Sequence, residues 1–220
     1  MNRSLILRVF IVFAVFCSAF YIAFRFLQPD YKSLPFYDPA DVNPELVDPA
    51  MRSLGRGHTI AEYTLMDQNG EEFQSRNLKG KVWMADFFFT TCPSICKNMA
   101  IQKQFLQQRF ATEPLFQIVS HSVNPEVDSV AVLAAYAQLN EVNSTKWKLL
   151  TGEKSAIYAL ARKSFLVARE PTEGIEHDFI HTENFVLIDQ KGRIRGFYDG
   201  TSEEAVNQLA LDAQWLLERP

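Results

Sequence analysis

The stretch FFFTTCPSICK, residues 87–97, decides the fold of this chain. It closes an apolar run, Val82 to Phe89, that predicts a buried strand. It then leads into Asn98 to Phe110, whose apolar residues predict a helix. Cys92 and Cys96 stand between these two elements, with three residues separating them. The sequence therefore predicts a strand, a loop and a helix N-terminus that carries two cysteines.

The Cys-x3-Cys spacing allows two kinds of chemistry. An offset of four residues places both sulfurs on one face of a helix. Four helical residues rise about 6 Å, which is within the Cα separation of about 4.4–6.8 Å that a disulfide needs. Two thiolates at the same spacing can also bind one soft metal ion. Because amides at a helix N-terminus lower thiol pKa values, we expect both thiols to ionise readily. Redox chemistry and metal binding are both open at this point.

Composition excludes several classes of protein. A chain of 220 residues predicts one domain plus some extra sequence. A formal net charge of −4 and the lack of a basic run argue against nucleic acid as a partner. There are three cysteines, and only two lie close together in the sequence, so a disulfide-framework protein is not indicated.

The apolar segment Leu5 to Leu27 predicts a transmembrane anchor helix. Val9 to Phe24 contains no charged residue, and about 20 apolar residues span a bilayer. Arg3 and Arg8 come first, so we expect a cytoplasmic N-terminus and a translocated remainder. A cleaved signal peptide is the alternative, because residues 17–19 loosely resemble a cleavage site. The prediction is a single-pass protein of a bacterial inner membrane, with its domain facing the periplasm or the cell exterior.

The chain divides into three predicted segments. Residues 1–27 form a cytoplasmic tip and the anchor, residues 28–56 a proline-rich spacer, and residues 57–220 the globular domain. Five prolines and several aspartates suit an extended spacer. Apolar residues such as Phe36 and Tyr37 would instead let part of the spacer lie along the domain surface.

The globular segment predicts an α/β sheet of thioredoxin type. Asn69-Gly70 is a hairpin signal between two short strands. Strands and helices then follow in the order β-α-β-α-β-α-β-β-α. The predicted strands are Lys81–Phe89, Leu115–Ser120, Lys148–Thr151, Asn184–Asp189 and Arg193–Tyr198, and the predicted helices are Asn98–Phe110, Asp128–Leu139, Glu153–Ser164 and Ser202–Leu217.

A histidine stands where thioredoxin-like enzymes place a cis-proline that faces the cysteine pair. The corresponding stretch, residues 177–184, contains His181 and no proline. Two thiolates and one imidazole suit Cu(I), and they hold Cu(II) with added ligands. Zinc is the main competitor, because two cysteines, one histidine and water also form a known zinc set. The missing fourth protein ligand and the predicted extracytoplasmic location favour copper.

The remaining polar candidates have weaker signals. We interpret His58 and His121 as structural, and His177 as an exposed loop residue. Asp86 is unusual in so apolar a strand. It is either a buried, hydrogen-bonded group that supports the site or a residue on a polar edge, and the sequence leaves both alternatives open.

Three features together resemble the Sco/SenC family over about residues 58–217. They are the Thr91-Cys92-Pro93-x-x-Cys96 motif, the loop of residues 122–128 (Ser-Val-Asn-Pro-Glu-x-Asp), and His181 ahead of Phe185 to Asp189. The resemblance implies a membrane-anchored copper protein of thioredoxin fold that helps assemble the binuclear copper site of cytochrome c oxidase. It implies Cys92, Cys96 and His181 as copper ligands. It also implies two partners, the copper-binding subunit of the oxidase and an upstream copper donor.

Two departures from the family pattern remove negative charge near the implied site. Asn124 and Ile180 stand where the family commonly has Asp. We therefore name Asn124, with Asp86, as a candidate for tuning the ligands or for partner docking. The alternative function is a thiol-disulfide reductase that keeps the copper-site cysteines of the oxidase reduced. Both functions use Cys92 and Cys96, but only the copper chaperone needs His181.

Overall fold

The computed structural model describes residues 3–27, 33–44, 47, 51, 55–92, 95–168 and 182–219. The chain divides into two compact units, Met1–Leu34 and Pro35–Pro220. The first unit contains helix α1, Arg3–Leu27. Across the residues described, no helix has both the length and the apolar character needed to cross a membrane. The predicted transmembrane anchor is therefore not shown.

The second unit is built on one mixed sheet. Over the described residues it has seven strands in the order β2-β1-β5-β4-β3-β6-β7. β3 and β5 each run parallel to β4, and the other neighbouring strands are antiparallel. The strands are β1 Thr64–Asp67, β2 Glu72–Gln74, β3 Val82–Phe88, β4 Phe116–Ser122, β5 Trp147–Thr151, β6 Asn184–Ile188 and β7 Ile194–Asp199. The predicted α/β architecture is confirmed.

Three of the described helices begin at capping residues that the sequence supplies. The hydroxyl of Ser129 accepts a hydrogen bond from Val132 N, and that of Ser202 accepts one from Ala205 N. The carboxylate of Glu153 caps the helix that follows it. The helices are α2 Ile95–Arg109, α3 Val130–Leu139, α4 Lys154–Ala159 with a π-helical continuation Leu160–Ser164, and α5 Glu203–Leu217, with 3-10 turns at Pro39–Asp41 and Ser75–Leu78.

The central strands are buried along their whole length. Every residue of β3 and of β4 is buried, which explains the near-continuous apolar run of β3. His121 on β4 stacks on Phe87 with ring centroids 5.0 Å apart, and its Nε2 lies 2.8 Å from the Tyr63 hydroxyl. Burial lowers the pKa of His121 to about 4, so the ring is neutral at pH 7. This packing fixes the end of β3 from which the cysteine loop leaves.

Part of the predicted spacer lies along the sheet. Tyr37 N donates a hydrogen bond to Ile194 O at 3.1 Å, and Arg195 Nε donates one to Pro35 O at 2.9 Å. The ring of Tyr37 also meets that of Phe197 edge-on, at 5.3 Å. The second compact unit accordingly begins at Pro35, within the segment that the sequence predicted as a spacer.

Candidate functional site

Both cysteines of the Cys-x3-Cys motif line one cavity of about 320 Å³. The cavity lies at the end of β3, where the chain turns into α2. Its apolar walls are Phe87, Phe89, Ile95, Met99 and Val167. Its polar lining beside the cysteines is Thr182, Glu183 and Asn184, at the start of β6. The pairing of β6 with β3 thus places these three polar residues beside the two sulfurs. The rest of the pocket lining is apolar.

Cys92 lies between β3 and α2, whereas Cys96 lies within α2. Cys92 N donates a long hydrogen bond of 3.4 Å to Phe89 O, and α2 begins at Ile95. Cys96 therefore falls in the first turn of the helix, and its thiol is hydrogen-bonded to that of Cys92. Cys92 is partly exposed, whereas Cys96 is only 9% exposed. An incoming group can reach Cys92 more easily than Cys96.

Cys96 differs from the sequence prediction in its acidity. Burial raises the pKa of the Cys96 thiol to about 12, and the hydrogen bond and charge of Cys92 act in the same direction. A backbone hydrogen bond at Phe89 and the positive charge of Lys103 offset only part of this pKa shift. The expectation that both thiols ionise readily is therefore wrong for Cys96, because desolvation outweighs the helix N-terminus. A bound cation is the kind of partner that would stabilise its thiolate.

Asp86 is buried and hydrogen-bonded rather than on a polar edge. Its carboxylate accepts hydrogen bonds from Lys103 Nζ, at 2.6 Å, and from the Ser120 hydroxyl. Trp147 Nε1 in turn donates to Ser120 Oγ at 2.8 Å. The Lys103 ammonium also lies 4.9 Å from the ring centroid of Phe88. This network ties α2 to the sheet beneath the cysteine motif. Whether Asp86 tunes the site stays a prediction.

Asn124 shapes the loop between β4 and α3. Its carbonyl oxygen accepts hydrogen bonds from Val127 N and Asp128 N, and its own N–H donates to Ser122 Oγ at 3.1 Å. Asn124 is not among the described residues that line the cavity. Its role in tuning or docking stays a prediction.

The sequence did not predict the contacts of Asp128 and Lys103. The buried carboxylate of Asp128 accepts hydrogen bonds from the backbone and hydroxyl of Thr90, two residues before Cys92. Two features of the sequence could have pointed to these residues. Lys103 is a charged residue in the apolar pattern of a helix, and Asp128 is the second carboxylate in the loop of residues 122–128. Neither signal identifies the partner, since each partner lies on another element.

His181 lies outside the described residues, as do Pro93 and Ser94. Thr182, which follows His181 in the sequence, lines the cavity. Within the part of the chain that is described, no three His, Cys, Asp or Glu side chains are grouped to hold a metal ion. His58 bonds through Nε2 to Ser164 O at 2.7 Å, consistent with a structural residue. The two cysteines are thus the described part of the predicted ligand set.

Comparison with known proteins identifies similarity over most of this domain. The family model described as SCO1/SenC matches residues 51–217. The SCO1 protein homolog of Bacillus subtilis (strain 168) is 31% identical over 159 residues, which cover 71% of this chain and 82% of that protein.

Solved structures share the fold. BsSco, a member of the Sco family of cytochrome c oxidase assembly proteins in which a disulfide switch was identified, superposes with a TM-score of 0.64 at 29% identity, over 75% of this chain and 96% of that chain. Bradyrhizobium japonicum ScoI with copper bound gives a TM-score of 0.58 at 21% identity, over 73% and 99%. At 21% identity the second likeness concerns the fold alone.

Proposed function

Because this chain belongs to the SCO1/SenC family, we propose that it is a copper metallochaperone for the binuclear copper site of cytochrome c oxidase. Copper is bound through Cys92, Cys96 and His181 and passed to the copper-binding subunit of the oxidase, after receipt from an upstream donor. The observation that carries the proposal is the placement of Cys92 and Cys96 in one cavity with their thiols in hydrogen-bonding contact. Membership of the family confirms the resemblance inferred from the sequence.

The donor set fits copper. Two thiols that share one pocket offer soft ligands to a soft ion, and thiolate sulfur is the donor that Cu(I) prefers. The apolar walls formed by Phe87, Phe89, Ile95 and Met99 limit the access of water to the sulfurs. A nitrogen ligand from His181 would add most for Cu(II), which two thiolates alone satisfy poorly. Zinc stays the less favoured alternative.

The difference in exposure between the sulfurs suggests an order for transfer. Cys92 is the more accessible sulfur, so a ligand from the acceptor subunit would displace Cys92 first. Cys96 is sheltered in the first turn of α2 and would keep hold of the ion until the acceptor supplies a second ligand. Ligand exchange of this kind moves the ion without releasing it to water.

The thiol-disulfide reductase is the second candidate, and the contact between the two thiols favours it. In this reaction Cys92 attacks a disulfide of the partner and forms a mixed disulfide, which releases one partner thiol. Cys96 then attacks Cys92, releases the second partner thiol and leaves a Cys92–Cys96 disulfide. The disulfide switch identified in BsSco adds to this candidate.

We also propose that the chain is anchored in the bacterial inner membrane, with the domain facing the periplasm or the cell exterior. The support is the sequence of Leu5 to Leu27 and the arginines at positions 3 and 8. Alkaline phosphatase fused after Pro220 should be active, and the protein should stay in the membrane fraction after carbonate extraction. Mature protein that begins near Phe20 in the soluble fraction would contradict the anchor.

Copper binding to the full chain tests the proposed function. Reduced, anaerobic protein should take up one equivalent of Cu(I) in competition with a chromophoric chelator, and the oxidised Cys92–Cys96 form should take up none. Cys92→Ala and Cys96→Ala should each weaken binding strongly. Cys17→Ala is the matched control, because Cys17 lies in α1 rather than in the cavity. Equal Cu(I) affinity in all three variants would overturn the proposal.

A further inference from the structure

Asp128 connects the β4–α3 loop to the loop that carries Cys92. Its side chain is fully buried, and the three donors that reach it from the described residues are neutral. Oδ1 accepts from the Thr90 hydroxyl at 2.5 Å. Oδ2 accepts from Thr90 N at 3.1 Å and from the Ser122 hydroxyl at 2.5 Å. Two of the three hydrogen bonds therefore hold one residue, Thr90.

These hydrogen bonds begin where the sheet stops supporting the chain. Val123 N donates to Phe88 O at 2.8 Å, one step beyond the last β3–β4 pair, Phe88 with Ser122. After that point Thr90 is held by the carboxylate of Asp128, whereas Thr91 is exposed. Asp128 thus supplies hydrogen bonds to the chain between β3 and Cys92, where β4 no longer does.

The carboxylate itself is held by rigid structure. Asp128 N donates to Asn124 O at 2.9 Å, and the next residue, Ser129, caps α3. The side chain thus projects from a tight turn that leads directly into a helix. A fixed carboxylate can impose a position on the loop that it contacts.

We propose that Asp128 is a positioning residue that holds the Cys92 thiol within reach of Cys96. Thr90 is two residues from Cys92, so fixing Thr90 limits the space that the Cys92 sulfur can sample. Cys96 is fixed separately by α2, and a restricted Cys92 raises the effective concentration of one sulfur at the other. The same restriction favours formation of a Cys92–Cys96 disulfide and binding of one metal ion by both sulfurs. The copper part of this inference rests on the proposed function, whereas the disulfide part does not.

The test measures the disulfide equilibrium in the full chain, in a Cys17→Ala background. In glutathione buffers the Cys92–Cys96 disulfide plus two glutathione thiols gives the dithiol plus glutathione disulfide. Asp128→Asn should make the protein disulfide about tenfold easier to reduce, which is about 30 mV. Thr90→Val should shift the equilibrium less and in the same direction, and Thr90→Ser should stay near the parent value. Cu(I) affinity of the reduced Asp128→Asn protein should fall about tenfold.

Asp67→Asn is the matched control. Asp67 is also buried, and its carboxylate accepts from the backbone N–H groups of Asn69 and Glu71 in the β1–β2 turn and from Lys148 Nζ at 2.6 Å. It should destabilise the fold without moving the disulfide equilibrium.

Equal equilibria for Asp128→Asn and Asp67→Asn would overturn the proposal. If Asp128→Asn does not fold, Thr90→Val decides, and an unchanged equilibrium in that variant would also overturn it. A protein that binds no Cu(I) but shows the predicted redox shifts would refute the copper function and keep the role of Asp128.

Discussion

The ammonium of Lys103 lies 2.6 Å from the carboxylate of Asp86, and both side chains are almost completely buried. Taking one partner away leaves a buried charge without compensation, which costs about 3–5 kcal/mol. We expect Lys103→Met and Asp86→Asn each to lower the free energy of unfolding by about this amount. The double variant should lose less than the sum of the two, because it leaves no unpaired charge. Urea unfolding at pH 7 measures all three.

The exposed pair of Lys154 and Glu126 provides the control for this prediction. Its atoms are 3.2 Å apart and both side chains are well exposed, so Lys154→Met should change stability by less than about 1 kcal/mol. Strict additivity of Lys103→Met and Asp86→Asn would show that the buried pair does not act as a unit.

His121 predicts a pH dependence of stability. Its pKa is about 4 in the folded protein and about 6.5 when unfolded. Between these values the unfolded chain binds the extra proton, so the stability due to neutral His121 is fully present above about pH 6.5. It is lost as the pH falls towards 4, by about 3 kcal/mol in total. Unfolding free energies between pH 7 and 4.5 should show this slope.

The matched variant for this measurement is His121→Gln, which keeps a polar side chain opposite Tyr63 but has no titrating ring. Its stability should lack the part of the slope that begins near pH 6.5. Carboxylates such as Asp67 and Asp189 also make stability depend on pH, in both proteins. Their pKa values are lowered, because hydrogen bonds and neighbouring cations outweigh burial, so they change stability at more acidic pH than His121 does. The same slope in both proteins would rule out His121 as its source.

Exposure and acidity predict unequal reactivity of the two site cysteines. Cys92 is partly exposed, whereas Cys96 is buried and its pKa is raised to about 12. Since the thiolate is the nucleophile, iodoacetamide at pH 7.5 should alkylate Cys92 at least about tenfold faster than Cys96. Peptide mass spectrometry of reduced, metal-free protein measures both rates. Comparable rates at the two sulfurs would contradict the structural assignment.

Patterns local in sequence predicted most of the fold. The apolar run of β3 predicted a strand buried on both faces, and Asn69-Gly70 predicted the hairpin in which Gly70 has a φ of +76°. The last helix was predicted over Ser202–Leu217 and is observed over Glu203–Leu217, with Ser202 as its cap. In each case the physical cause lies within a few residues of the feature, so the sequence contains it.

The site was less predictable because its contacts join distant parts of the chain. Asp128 was predicted as the first residue of a helix, but α3 begins at Val130 and the side chain of Asp128 reaches back to Thr90. The acidity of Cys96 was predicted from the helix N-terminus alone. Its pKa is instead set largely by burial, to which residues as distant as Val167 contribute by lining the same cavity. Such desolvation depends on tertiary packing, which a short sequence motif does not predict.

Copper delivery, unlike thiol reduction, depends on His181. An imidazole adds little to sulfur exchange, where thiolate fraction, leaving group and access set the rate. It adds a nitrogen ligand for copper, above all for Cu(II). His181→Ala should therefore weaken Cu(II) binding strongly and Cu(I) binding less, while disulfide reduction by the purified protein stays near that of the parent.

The amount of assembled cytochrome c oxidase in cells that carry the variant as their only copy distinguishes copper delivery from thiol reduction. With His181→Ala, assembled oxidase should fall, and added copper should restore part of it. His177→Ala, which removes a histidine from the same segment, should leave oxidase near the parent level. Normal oxidase with His181→Ala, together with none in cells carrying Cys92→Ala, would contradict copper delivery and support the reductase.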